Sequence, residues 1–349
     1  MSRTGLALLL SALPAPALAQ TVDITFDPAA KQALSNELGL VETELETLLT
    51  NQLRALYGLV DTKEFLRLSA NAQSFSNKGL GAHYGSVIDG FIFGVGVNVA
   101  ASAGDTDLTL IPKGNKVEVI VERAVPVAGG AQISLMAGVD LAGVGVPGLA
   151  FFVNGLYYPL STHQLDGTFT NLGAHVQYTV LGPAGEPVAL EWGGFRLTTG
   201  LELSRAQYEL TESFETSTQL AESVEFKTLS TGTLVLDQSA YTIPFEATAS
   251  LTVAYFVTVF AGGGVDIPLG SSEMRFDLTS DLSAKVGSED LHVGQAKVQV
   301  TDSASADRLV ARALVGVEAN VGPVHGFGQV NLALKDLTVA VAAGLRFAF

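Results

Sequence analysis

The last thirteen residues, Leu337-Thr-Val-Ala-Val-Ala-Ala-Gly-Leu-Arg-Phe-Ala-Phe349, decide how the rest of the chain is read. Leu337, Val339, Val341, Ala343, Leu345, Phe347 and Phe349 fall on one face of an extended strand, and Thr338, Ala340, Ala342, Gly344, Arg346 and Ala348 on the other. One face is bulky and apolar, the other small or polar. The split recurs upstream. Ile243, Phe245, Ala247, Ala249, Leu251 and Val253 oppose Glu246, Thr248, Ser250 and Thr252, and Leu309 to Val321 alternate around Arg312, Gly316, Glu318 and Asn320. Phe91, Phe93, Val95, Val97 and Val99 repeat it. A soluble β-sandwich alternates in the same way, so the period alone leaves two fold classes open.

Composition separates them. In 349 residues, 48% are hydrophobic and 37 are glycine while only 15% are charged, which suits a wall that faces lipid better than one that faces water. The 19 basic and 35 acidic residues leave a net charge of -16, which argues against nucleic acid as a partner. With no cysteine there is no disulfide and no thiolate chemistry. Arg3, the apolar run Leu6 to Leu13, and Ala17-Leu18-Ala19 before Gln20 form an export signal, so residues 1–19 are expected to be removed and the mature chain to start at Gln20.

The pattern predicts ten strands, at 90–100, 130–141, 149–158, 167–180, 194–211, 240–253, 256–268, 309–321, 324–334 and 337–349. Placing the N-terminus at the inner end makes 101–129, 212–239 and 269–308 long outer loops, and every inner turn is shorter than these. Strand-like stretches in 116–122, 221–236 and 273–301 either extend strands beyond the membrane or raise the count to twelve or fourteen. Ile133 to Val153 is long enough for a membrane helix, but its five glycines and prolines point to a turn between two strands. Phe91, Phe151, Phe152, Trp192, Phe195, Tyr255, Phe256, Phe347 and Phe349 gather at the inner strand ends as one interfacial girdle. The fold class that follows is an all-β transmembrane barrel, antiparallel and up-and-down.

Ahead of it, residues 20–78 are expected to be helical. Asp27-Pro28 gives an N-cap and first turn, and Leu34, Leu38, Val41, Leu45, Leu48, Leu53 and Leu56 form an amphipathic stripe. The segment reads either as a plug in the lumen or as a periplasmic cap. Gly79-Leu-Gly-Ala-His-Tyr-Gly85 follows it as a linker or as a thread through the barrel mouth.

The ending Leu345, Phe347, Phe349 resembles the C-terminal insertion signal of bacterial outer-membrane β-barrel proteins, which implies an outer-membrane location in a Gram-negative cell, lipid contact and handling by the barrel-assembly machinery. The outline, helical segment then barrel, is loosely similar to the long-chain fatty-acid transporters of that membrane, although these typically use fourteen strands and no motif matches residue by residue.

If the bulky faces point outward, Asp140, His175, Gln177, Arg196, Glu202, Glu246, Asp266, Arg312, Glu318 and Arg346 point into the lumen. They line a path for a small solute or, more simply, pair with one another to satisfy burial. No metal-ligand spacing joins His83, His163, His175, His292 and His325, and no G-x-S-x-G elbow is present, so the expectation is no catalytic residue, no metal and no cofactor. His163 beside Asp166 is the one pair with hydrolase chemistry. Two functions fit, a passive channel or solute-uptake barrel and a closed barrel acting through its outer loops, and a third, a surface hydrolase, would need His163 beside a second acid and a nucleophile or water site.

Overall fold

The computed structural model describes residues 21–38, 43–44, 47, 62–85, 90–104, 108–113, 116–121, 127–162, 165–184, 190–221, 224–253, 256–286, 289–334 and 336–349. Its elements are β1 (Thr21–Phe26), α1 (Pro28–Leu38), α2 (Thr62–Phe75), β2 (Phe91–Ala103), β3 (Leu108–Lys113), β4 (Lys116–Val121), β5 (Val127–Asp140), β6 (Leu149–Ser161), β7 (Leu165–Leu181), β8 (Leu190–Ala221), β9 (Val224–Val253), β10 (Val257–Val286), β11 (Glu289–Ser305), β12 (Val310–Val321), β13 (Val324–Ala333) and β14 (Leu337–Ala348). Residues 1–19, the helical stripe between Val41 and Leu56 apart from isolated positions, His163 and Tyr255 lie outside the described residues.

Ten strands close an antiparallel ring in the order β2-β5-β6-β7-β8-β9-β10-β12-β13-β14, with β14 returning to β2 from Leu337↔Ala103 to Ala348↔Ile92. Each overlaps one of the strands read from alternation, which overrun it by no more than one residue at either end. The wall is inside out relative to a soluble protein. Along β2, Phe91, Phe93, Val95, Val97 and Val99 are exposed while Ile92, Gly94, Gly96, Asn98 and Ala100 are buried. Around the ring the lumen side carries Gln132, Ser134, Asn154, Gln177, Arg196 and Arg312, all buried. A sandwich buries its bulky faces against each other; here they form the outer surface, as lipid contact requires.

Three strands far outrun the barrel. A tilted strand crosses a bilayer in about 9–11 residues, whereas β8 has 32 and β9 and β10 have 30 each. Most of the described part of 212–239 and 269–308, placed in outer loops by the ten-strand reading, is therefore strand that extends beyond the barrel, the alternative their strand-like stretches offered: β9 pairs with β10 without a break from Val257↔Val253 to Val286↔Val224. β10 changes partner on the way, from β12 over Val257–Asp266 to β11 from Ser271 onward. Within 101–129, β3 and β4 form a separate hairpin.

The upper parts of β8, β9 and β10, with β11 and β1, make a sheet standing above the ring, here termed the crown. One crown face packs Phe226, Phe276, Leu278, Leu282, Val293 and Val298 against Leu34 of α1 and Leu66 of α2. The other is wet, with Asp281 and Asp277 accepting hydrogen bonds from Gln295 and Gln299 at 2.9 and 2.6 Å. Alternation in the crown thus buries a core, whereas in the ring it faces outward. Sequence period does not distinguish the two.

β1 reverses one expectation. It pairs with β11 from Thr21↔Gln299 to Phe26↔Gly294, so the start of the described chain sits in the crown and not at the end where the short turns lie. α1 follows directly, capped by Asp27, whose Oδ1 accepts the Ala29 and Ala30 amides at 2.9 and 3.0 Å.

Candidate functional site

From the crown the chain runs down the barrel axis. α2 fills the mouth, and every residue from Leu68 to Phe75 is buried. Its polar residues meet the polar lumen and crown rim. Asn71 and Asp307 exchange two hydrogen bonds of 2.9 Å, Gln238 donates to Ser69, and Ser204 donates to the Gln73 carbonyl at 3.1 Å. The helix therefore lies within the segment expected to be helical but beyond its apolar stripe, which ends at Leu56. Two glycines set its path. A Cβ on Gly130 of β5 would lie 2.9 Å from the Ala72 carbonyl oxygen, so the wall needs glycine where the helix backbone touches it, and Gly79 turns the chain at φ 82°. At the rim, Arg67 meets Glu64 at 2.8 Å, Asp336 at 2.8 Å and Asp307 at 3.0 Å. The Glu64 hydrogen bond, helped by these charges and opposed by partial burial, raises the Arg67 pKa.

Residues 76–85 thread the lumen, held by two buried clusters. In the first, Lys78 Nζ lies 2.6 Å from Glu202 and 3.2 Å from Asp266. Arg312 donates through Nε to Asp266 at 2.8 Å, through Nη1 to Asn331 at 2.8 Å and through Nη2 to Glu246. The Tyr84 hydroxyl donates to the other oxygen of Glu246 at 2.6 Å. Lys78 and Arg312 thus face Glu202, Glu246 and Asp266, with His175 Nε2 4.0 Å from Glu202. The plug supplies one of the two cations.

The second cluster grips the plug backbone. Arg346 Nη2 donates to the carbonyls of Gly79 and Ala82 at 3.1 and 2.8 Å, with its guanidinium 3.8 Å from the Phe327 ring centroid. Glu318 takes Arg346 at 3.7 Å, His83 at 3.4 Å and His325 at 3.3 Å. Arg196 donates to the Tyr84 carbonyl at 2.7 Å and Gln177 to that of His83 at 2.9 Å. Asn98 donates to the carbonyls of Phe75 and Lys78 at 3.2 and 2.5 Å. The wall side chains therefore satisfy a chain segment that has no secondary structure of its own.

Of the lumen residues expected from the sequence, His175, Gln177, Arg196, Glu202, Glu246, Asp266, Arg312, Glu318 and Arg346 are buried inside the ring. Asp140 is not among them: it is half-buried at the turn end, and its carboxylate accepts the Ala142 amide at 3.1 Å to cap that turn. The mutual pairing expected of the arginines holds for Arg312, while Arg346 binds the Gly79 and Ala82 carbonyls and Arg196 divides its hydrogen bonds between the Tyr84 carbonyl and, on the wall, Gly193 and Ser250. Lys78, His83 and Tyr84 were missed as partners because alternation selects only wall residues; the one signal was a run of three glycines in Gly79–Gly85 next to a lysine. Of the aromatic girdle, Phe91, Phe151, Trp192, Phe256 and Phe349 are exposed, but Phe152 is fully buried in the lumen. Leu345 and Phe349 point outward, and Phe93 stacks between Phe347 at 5.1 Å and Phe349 at 5.9 Å. Asp166 of β7 accepts a hydrogen bond from Ser161 of β6 at 2.5 Å at the exposed end of that strand pair.

A family model described as Lsa36-like matches residues 17–349. No curated protein sequence matches the chain. Among solved structures, the chain is similar to bacterial outer-membrane β-barrels. The Ralstonia pickettii toluene transporter TbuX aligns at 9% identity over 80% of this chain and 99% of that one, with a TM-score of 0.26. The translocator domain of the autotransporter NalP from Neisseria meningitidis gives 10%, 81%, 94% and 0.28, and a Pseudomonas aeruginosa FadL homologue 9%, 81%, 98% and 0.25. At such scores nothing about strand count, lumen or cargo carries across.

Proposed function

The chain belongs to the Lsa36-like family, and we propose that it is a bacterial outer-membrane barrel that admits a small hydrophilic solute through a lumen held shut by its own N-terminal segment. The short turns then face the periplasm and the crown faces the medium. The observation that supports this reading is the way residues 76–85 are held. Beside the apolar packing of Leu80, Ala82 and Tyr84, they make ion pairs and hydrogen bonds to the wall, centred on Lys78 between Glu202 and Asp266, and water and solute can replace these polar contacts once the segment shifts. The ring closes through strand pairing that does not involve this segment, so a displaced plug leaves a polar path. The ending at Leu345, Phe347 and Phe349 would serve insertion by the assembly machinery.

The test is single-channel conductance of the mature protein in a planar bilayer, beside Lys78→Met and a variant lacking residues 20–85. Silence in the full protein with discrete steps in either variant supports gated uptake. Silence in all three retires solute passage and favours the second reading, a closed barrel acting through its crown, for which the polar outer face at Asp277 and Asp281 speaks.

A further inference from the structure

The ring wall carries a slit. β5 and β6 pair only from Leu135↔Gly155 to Asp140↔Ala150. Towards the crown, β5 continues to Val127 bound only to β2, and β6 continues to Ser161 bound only to β7, so the two strands part. Pro159, which has no N–H to give a ladder, lies in this separated stretch of β6. On the lumen side the slit is stitched by Asn171 of β7. Its amide donates to the Ile133 carbonyl and its Oδ1 accepts from Ser134 Oγ at 2.8 Å, replacing part of the missing ladder.

Outside this stitch the wall overlaps itself. The buried series Ala150, Phe152, Asn154 of β6 continues in alternation as Leu156, Tyr158 and Leu160, and these face the same cavity as Ile133 and Val99, which belong to the outward faces of β5 and β2. The cavity has a volume of about 310 Å³, with Phe169 completing an uncharged, almost wholly apolar lining. That volume falls at the lower end of small-ligand sites, roughly 300–1,000 Å³.

We propose that this lapped slit is a binding site for one acyl chain of an outer-leaflet lipid. It is continuous with the exposed apolar wall at Val97 and Val99, so the molecules at its mouth are lipid chains. Tyr158 in its lining and the neighbouring Tyr157 stand exposed at 43% and 64%, and such amphipathic rings suit the headgroup level. The stitch at Asn171 separates the slot from the polar lumen, so the chain enters from the membrane and not along the barrel axis. The proposal rests on the wall being membrane-spanning and is independent of whether a solute crosses the lumen.

The test reconstitutes the mature protein in phosphatidylcholine vesicles containing a trace of phosphatidylcholine with a diazirine on its acyl chain, and maps photo-adducts by mass spectrometry. Adducts are expected to concentrate on peptides carrying Ile133, Leu156 and Phe169 over those carrying Leu197 and Leu201, exposed on another part of the wall. Ala131→Trp, which fills the slot, should lower the slot adducts about tenfold, the effect of displacing some two methylenes of chain, and leave those at Leu197 unchanged. Leu160→Trp does the same from the mouth and serves if the first variant does not fold. Adducts spread evenly around the barrel, or slot adducts indifferent to both tryptophans, overturn the proposal. So does slot labelling that disappears as the protein is concentrated in the vesicles, which would make a second copy the occupant. Channel silence in bilayers would leave this result untouched.

Discussion

Replacing Lys78 with methionine keeps much of the stem and removes the ammonium that lies 2.6 Å from Glu202 and 3.2 Å from Asp266, both carboxylates being almost fully buried. Asp266 retains Arg312 at 2.8 Å, whereas Glu202 is left with only a 4.0 Å contact to His175. Breaking one side of a buried pair costs about 3–5 kcal/mol, and the lower end applies here because Asp266 stays paired. The plug should then undock between about a hundredfold and a few thousandfold more often, at about 1.4 kcal/mol per decade. The chain has no cysteine, so Ser74→Cys provides a unique probe at a buried position of α2. In detergent, its labelling by a maleimide reports the undocked fraction as a local opening. Lys78→Met should accelerate labelling by about the lower figure, a hundredfold, and adding Glu202→Gln should recover most of the loss because the stranded charge is gone. Equal rates with and without Lys78, or no recovery in the double variant, would refute the ion pair as the latch.

Three further outcomes follow from the same geometry. Gly130→Ala drives a methyl against the Ala72 carbonyl, and overpacking of about 1–3 kcal/mol should raise Ser74→Cys labelling several-fold to a hundredfold, without changing the barrel's circular dichroism. Arg346→Gln releases the Gly79 and Ala82 carbonyls and strips Glu318 of its arginine, so the heat-modifiable band on gels should be lost at a lower temperature than in the parent. On intact cells, an impermeant maleimide should label Asp23→Cys in the crown strand β1 but reach Val144→Cys at a short turn only after permeabilisation; the opposite pattern would invert the assigned orientation.

What the sequence determined by itself is the wall. Thirteen residues such as Leu337–Phe349 state which side chains face lipid and which face inward, because a strand offers only two faces and a bilayer tolerates only apolar groups on one of them. Arg196, Arg312 and Arg346 lie on the buried parity of their strands, whereas Asp140 stands where a strand ends in a turn and parity loses meaning. What only the tertiary structure decided is everything that depends on two distant segments meeting. Whether residues 212–239 and 269–308 are loops or strands depends on each finding the other as a partner across the crown. The plug's path from crown to turn end, and Lys78 as the cation between Glu202 and Asp266, lie in a stretch without periodicity, held by wall atoms more than a hundred residues away. The slit is likewise an absence of pairing between strands that both alternate normally, and alternation records a residue's face but not its neighbour.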